Sequence, residues 1–120
     1  MKDNAFTTYV VEMMQSIGPV RAKSMFGGHG LFLEDLMFGL VADNVLYLKA
    51  DDESENEFKT RGLGAFTYHK KDKTLTMSYY QAPEETLEDI DEMKVWANKA
   101  YGAALRAASK KRKDSGYKNK

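Results

Sequence analysis

Residues 21–49 read RAKSMFGGHGLFLEDLMFGLVADNVLYLK, and this stretch decides the fold. Its apolar runs are separated by two short polar breaks, the tight turn Glu34-Asp35 and, at Asp43-Asn44, a turn whose two residue types tolerate a positive φ. Connections this short join only antiparallel neighbours. The stretch therefore predicts three antiparallel strands, the first of them bent by its glycines: Val20 to Leu33, Met37 to Ala42 and Val45 to Lys49.

Helical spacing appears on both sides of these strands. An apolar stripe that includes Tyr9 and Met13 predicts a helix over 3–17, which Gly18-Pro19 ends. A short helix over 51–61 and two strands, over 66–70 and 74–80, follow. After Pro83, Thr86 and Asp89 resemble a capping box, and a long alanine-rich helix begins. Its predicted core stripe consists of Leu87, Ile90, Met93, Ala97, Ala100, Ala104 and Ala108.

These elements predict an α+β fold with a single antiparallel sheet and flanking helices, in the order α-β-β-β-α-β-β-α. The length of 120 residues fits one domain, and 42% apolar residues supply a core. We expect the domain to span 1–109 and a basic, disordered tail to span 110–120, because the apolar pattern stops near Lys110. Residues 1–4 lack the features of a signal peptide, and no apolar run approaches the length of a bilayer span. We therefore expect a cytoplasmic protein.

The formal net charge of zero conceals an uneven distribution of charge. Residues 84–92 contain six acids and no base, whereas residues 109–120 contain six bases and one acid. Clustered lysine and arginine neutralise phosphate, so the tail is a candidate for non-specific DNA contact. A solubilising terminal tail would have the same composition, and the sequence does not decide between the two. The candidate nucleic-acid contacts are Lys110, Lys111, Arg112 and Lys113.

Three glycines close together in residues 27–30 admit two interpretations. A phosphate-binding loop would place them before a helix N-terminus, but here a strand follows them. We therefore interpret them as a bulge in which at least one glycine has a positive φ or abuts another backbone. Tyr79 and Tyr80 are adjacent and should point to opposite faces of a strand. The candidate binding surface comprises Gly27, Gly28, His29 and Tyr80.

The sequence offers little for catalysis or metal binding. It has no cysteine, which excludes disulfides and thiolate ligands, and its two histidines have no metal-site spacing. Ser24 and Ser78 lie outside any nucleophile-elbow context. The acids cluster at helix starts, where the helix dipole explains them. We therefore predict no catalytic, cofactor or metal residues, no cofactor, and a protein that is not an enzyme.

Several pieces in fixed order resemble the N-terminal domain of the TfoX/Sxy competence-regulator family. They are residues 25–32 (MFGGHGLF), 37–41 (MFGLV), 46–49 (LYLK), 66–68 (FTY), 77–80 (MSYY) and the helix that bears Trp96-Ala97. The resemblance covers residues 5 to 108. It implies a single sheet with flanking helices, and a role in gene regulation together with the cyclic-AMP receptor protein at promoters. Full-length relatives also carry a second, C-terminal domain.

Two functions follow from the sequence. The first is a regulatory binding module that contacts a transcription regulator protein, with weak DNA contact through the tail. The alternative is a small-molecule-binding or enzymatic domain with a pocket near the Gly27–Gly30 bend. The family resemblance and the lack of a catalytic set favour the first.

Overall fold

A six-stranded antiparallel sheet forms the centre of the computed structural model, which describes residues 5–25 and 28–118. The strands lie side by side in the order β1-β2-β3-β4-β6-β5, and every neighbouring pair is antiparallel. The prediction of an α+β fold with one antiparallel sheet is confirmed. The strands are β1 Arg21–Met25, β2 Gly28–Leu33, β3 Leu36–Ala42, β4 Val45–Lys49, β5 Ala65–Lys70 and β6 Lys73–Gln81.

The single bent strand predicted from Val20 to Leu33 is wrong, because this segment forms two strands. β1 and β2 pair with each other, with Met25 opposite Gly28 and Arg21 opposite Phe32. Four strands rather than three therefore precede the second helix. Glycine suits a bulge and a chain reversal equally well, so composition alone did not separate the two. A register irregularity does occur nearby, between Leu31 and Phe32 where β2 pairs with β3.

The helices lie where the sequence predicts them, although the second is shorter than predicted and the last continues beyond Lys110. They are α1 Ala5–Met14, extended by a 3-10 turn over Gln15–Ile17, then α2 Glu55–Lys59, a 3-10 turn over Glu84–Leu87, and α3 Ile90–Lys118. Asp89 rather than Thr86 caps α3, since its Oδ1 accepts a 2.9 Å hydrogen bond from the amide of Asp91. The hydroxyl of Thr86 donates instead to the carbonyl of Pro83, at 2.6 Å. The backbone of α3 continues past Lys110, and the division into a domain over 1–109 and a tail over 110–120 stays a prediction.

The hydrophobic core lies between one face of the sheet and the helices. Met93, Ala97 and Ala100 of α3 are fully buried there, with Phe38 of β3 and Leu48 of β4. Small side chains on α3 let the helix lie close to the sheet. Ile90 departs from the predicted stripe, because 52% of its surface is exposed. It occupies the first turn of α3, and the fully buried part of the helix starts one turn later, at Met93.

Candidate interaction surfaces

The structure places the predicted glycine segment against a neighbouring backbone. A Cβ built on Gly28 would lie 2.1 Å from the carbonyl oxygen of Val41. The expectation that one of the glycines abuts another backbone is confirmed at this position, without a positive φ. Gly27 lies outside the described residues. This close approach explains why glycine, which has no Cβ, occupies position 28.

His29 and Tyr80, the other members of the candidate binding surface, lie on different strands with β3 and β4 between them. His29 is half-buried, with Nδ1 at 3.5 Å from the hydroxyl of Thr7. The ring of Tyr80 stacks on Phe58 at 5.5 Å between centroids, and its hydroxyl donates a 3.2 Å hydrogen bond to Glu55. The structure does not gather these residues at one place, and their role in binding stays a prediction.

The candidate nucleic-acid contacts lie near the end of α3. Lys110 and Lys111 are exposed, whereas the side chains of Arg112 and Lys113 lie outside the described part of the chain. Lys110 also lines a cavity of about 420 Å³ beside Arg106 and Asp51. Neither this cavity nor two others of about 290 and 390 Å³ is lined by Gly28 or His29. The proposed pocket near the Gly27–Gly30 bend gains no support from them.

The face of the sheet opposite the helices carries aromatic side chains, and we call it the open face. Leu46 and Leu48 of β4 pack into the core, so strand alternation directs Tyr47 and Lys49 to the open face. Tyr79 is the register partner of Lys49 and shares that face. The rings of Tyr47 and Phe66 meet edge to face, 5.0 Å apart. The sequence contained the signal for this surface, since Tyr47 and Lys49 alternate with Leu46 and Leu48 along β4.

Two lysines of the open face lie over aromatic rings. The Nζ of Lys23 is 5.5 Å from the centre of the Phe32 ring, and the Nζ of Lys49 is 5.0 Å from that of Tyr79. Burial lowers the pKa of Lys49, although nearby Asp51 opposes this effect. Burial also raises the pKa of Tyr79 to about 12. Both shifts follow from partial exclusion of water around this pair.

The charged side chains of the strands are all basic. The six strands contain five lysine or arginine residues and no aspartate or glutamate. Every acidic residue that the structure describes therefore lies outside the strands. Arg21 and Lys23 share the open face with Phe32, since they pair with Phe32 and Gly30 across β1 and β2. The open face is consequently both aromatic and basic, a combination hidden by a net charge of zero.

A second surface lies where α3 begins, and we call it the acidic helix end: Tyr9, Ile90 and the acids of residues 84–92. Tyr9 and Ile90 are large apolar side chains with 45% and 52% of their surface exposed. The Tyr9 hydroxyl donates a hydrogen bond to the carbonyl of Leu87, three residues before Ile90. Glu88, Asp89 and Asp91 beside them are exposed. The apolar pair therefore has an acidic rim.

The described part of the chain offers neither a metal cluster nor a membrane span. Among the side chains that the structure describes, no three of His, Cys, Asp or Glu come together as metal ligands. Within residues 5–25 and 28–118, no helix combines the length and the apolarity needed to cross a bilayer.

The fold and its surfaces define a small α+β domain whose sheet is covered by helices on one face and carries aromatic and basic side chains on the other. The chain belongs to the TfoX N-terminal domain family, whose model matches residues 12–104. It is 38% identical to the DNA transformation protein TfoX1 of Aliivibrio fischeri over 71 aligned residues. The aligned stretch is 59% of this chain and 34% of that protein. It is 30% identical to the protein Sxy of Escherichia coli over 73 aligned residues, a stretch that makes up 61% of this chain and 35% of that protein. The match spans about a third of the length of these curated relatives.

Proposed function

We propose that this chain is a regulatory binding module for competence gene expression, acting in the cytoplasm by contact with a transcription regulator protein and not as an enzyme. Membership of the TfoX N-terminal domain family supports the regulatory role. One relative is named a DNA transformation protein, a description that applies to that protein. The basic residues from Lys110 onward add a weak, sequence-independent contact with DNA.

The observation that carries the proposal is the exposed apolar pair at the acidic helix end. Ile90 begins α3 with half of its side chain in water, although burial of an isoleucine is worth about 2 kcal/mol. Tyr9 is held by its hydrogen bond to the carbonyl of Leu87, three residues before Ile90, so little side-chain entropy of Tyr9 would be lost on binding. Tyrosine is enriched where proteins bind one another.

The acidic rim selects the kind of partner. Glu88, Asp89 and Asp91 would repel nucleic acid phosphates and attract a basic protein surface. Proteins that bind DNA carry such surfaces, because they must neutralise phosphates. The proposed partner is therefore a DNA-binding transcription regulator that presents basic residues around an apolar pocket.

The test is a calorimetric titration against the purified cyclic-AMP receptor protein, the partner that the family resemblance implies, after nuclease treatment of both proteins. Substitution Ile90→Ser should weaken binding about tenfold, since anchors of this type contribute more than 1 kcal/mol. Leu105→Ser is the matched control, because Leu105 also lies on α3 and is 48% exposed. Equal affinities for the parent and the Ile90 variant would exclude this surface. A loss that is equal in both variants would indicate a general effect on α3.

A further inference from the structure

We propose that the open face of the sheet binds single-stranded nucleic acid, with bases stacked on its aromatic rings and phosphates on its lysines. This site lies apart from the acidic helix end, and of its lysines Lys49 comes near the basic end of α3, since it lines the same cavity as Lys110. The proposal goes beyond the regulatory contact proposed above, and either one could hold without the other.

The aromatic side chains of this face have surface available for a base. Phe32, Tyr47 and Phe66 are partly exposed, and they belong to β2, β4 and β5. The core and the helices lie on the opposite face, and the contacts of these rings are with side chains of the sheet: Tyr47 with Phe66, and Phe32 with Lys23. Every base has a π-face, so such rings bind single strands with little regard to sequence. Six strands about 4.8 Å apart span about 24 Å, which gives room for a short oligonucleotide.

The lysines of this face lack carboxylate partners. Among the described residues, neither Lys23 nor Lys49 forms an ion pair with an acid. Asp51 is the acid that acts on Lys49, but its carboxylate is already held by Arg106 through two hydrogen bonds. Arg21 does pair with Asp35, although both side chains are largely exposed to water. A phosphate would therefore be the first strong anionic partner for both lysines.

The combination of charge and rings favours a single strand over a duplex and over an acidic protein segment. The bases of a duplex are stacked on one another and do not offer their faces to a flat sheet. An acidic peptide would satisfy the lysines but would leave the rings without a stacking partner. No strand contains an acid, so the strands themselves do not repel a phosphate backbone. Asp35, in the turn after β2, lies beside Lys23 and Phe32, but its carboxylate is paired with Arg21.

The experiment measures fluorescence anisotropy of labelled twelve-nucleotide oligomers, dT and rU, titrated with the full chain. We expect Tyr47→Leu and Phe66→Leu each to weaken binding about tenfold, the loss that follows removal of one stacked base. Lys23→Gln should reduce the log–log salt slope by about 1. Thermal melts establish that each variant is folded, and the lysine variant tests the site even if an aromatic variant is unstable.

Two matched controls come from the helical side of the molecule. Tyr101→Leu removes a partly exposed aromatic ring of α3, and Lys94→Gln removes an exposed lysine of the same helix. Both should bind the oligomers as the parent does. Equal affinity for dT and rU would indicate a site for single strands in general. A preference for dT would identify the ligand as single-stranded DNA, and a preference for rU would identify it as RNA.

Three results would overturn the proposal. The first is parent-like affinity in all three open-face variants, which would assign any binding to the basic end of α3. The second is tighter binding of a duplex than of either single strand. The third is no binding of oligomers together with binding of poly-glutamate that depends on Lys23, which would make the open face a site for an acidic protein.

Discussion

Arg106 of α3 holds Asp51, which follows β4, through two hydrogen bonds. Its Nε lies 2.6 Å from Oδ2 and its Nη2 lies 3.0 Å from Oδ1. Asp51 also accepts hydrogen bonds from the amides of Glu53 and Ser54, ahead of α2. One carboxylate therefore connects the last helix to the loop between β4 and α2.

This contact predicts a loss of stability in acid. Hydrogen bonding to Arg106 lowers the pKa of Asp51 from 3.8 to about 2. The folded state has the lower pKa, so the contribution to stability is present above pH 3.8 and is lost as the pH falls towards 2. After allowance for solvent screening we expect a loss of about 1 kcal/mol in the free energy of unfolding.

Urea denaturation of the parent and of Arg106→Gln at several pH values checks this prediction. The variant should lose less stability than the parent between neutral pH and about pH 2. Asp35→Asn is the control, since it breaks the Arg21–Asp35 pair, whose side chains are 70% and 90% exposed. If the parent and the Arg106 variant have the same acid dependence, the Arg106–Asp51 contact does not stabilise the fold.

Gly28 and Gly64 make a matched pair for the role of the glycines. Gly28→Ala should destabilise the protein by about 2 kcal/mol or more, because its Cβ would overlap the carbonyl oxygen of Val41 at 2.1 Å. Gly30→Ala should cost less, because the nearest atom is the flexible Sδ of Met25 at 2.9 Å. Gly64→Ala should have little effect, as nothing lies within 4 Å of its Cβ position. Thermal melts of the three variants would contradict this order if Gly28→Ala were the mildest.

Ile90 and Met93 are neighbours on α3 with opposite environments. Ile90→Asp should change the free energy of unfolding by less than about 0.5 kcal/mol, because the site is exposed and an acid suits the first turn of a helix. Met93→Asp should unfold the domain, because Met93 is fully buried and would leave an unpaired charge in the core. Circular dichroism during heating separates the two outcomes. Unfolding of the Ile90 variant would instead show that Ile90 is buried in the core, as the sequence periodicity predicts.

How far the sequence predicts this molecule is visible at particular residues. The polar breaks Glu34-Asp35 and Asp43-Asn44 predicted turns, and all four residues have positive φ. The reversal between Met25 and Gly28 was missed, because glycine accommodates a bulge and a reversal equally. Periodicity assigned Ile90 to the inner side of α3, but it does not reveal where along its length a helix first meets the sheet. That position depends on tertiary packing.

The candidate surfaces were less predictable than the fold. Tyr47 and Lys49 alternate with Leu46 and Leu48, so the two faces of β4 were readable from the sequence. Which face the helices leave open depends on contacts between residues distant in the chain. The pairing of Lys49 with Tyr79 is such a contact, since β6 enters the sheet beside β4 only after α2 and β5.

Tyr79 predicts a loss of stability in alkali. Burial raises its pKa from 10.0 to about 12, so the folded state favours the protonated phenol. This contribution is present below pH 10 and is lost as the pH rises towards 12. Tyr79→Phe has no phenol to ionise and should lose about 1 kcal/mol less stability than the parent between about pH 9 and pH 11. Urea denaturation at these two pH values is the measurement, and identical changes in both proteins would contradict the burial of this phenol.

The basic end of α3 should bind duplex DNA weakly and without regard to sequence. Residues 110–120 contain six lysine or arginine residues, so they neutralise up to about six phosphates and give a log–log salt slope no steeper than about −5. The acids of residues 84–92 repel phosphate and should keep the duplex away from the start of the same helix.

The measurement is a titration of labelled duplex with the full chain and with a chain ending at Ala108. The shorter chain should lose duplex binding yet retain the single-strand binding proposed for the open face. Equal duplex affinities would remove the end of α3 as a DNA contact, whereas loss of single-strand binding in the shorter chain would transfer that activity from the sheet to the helix.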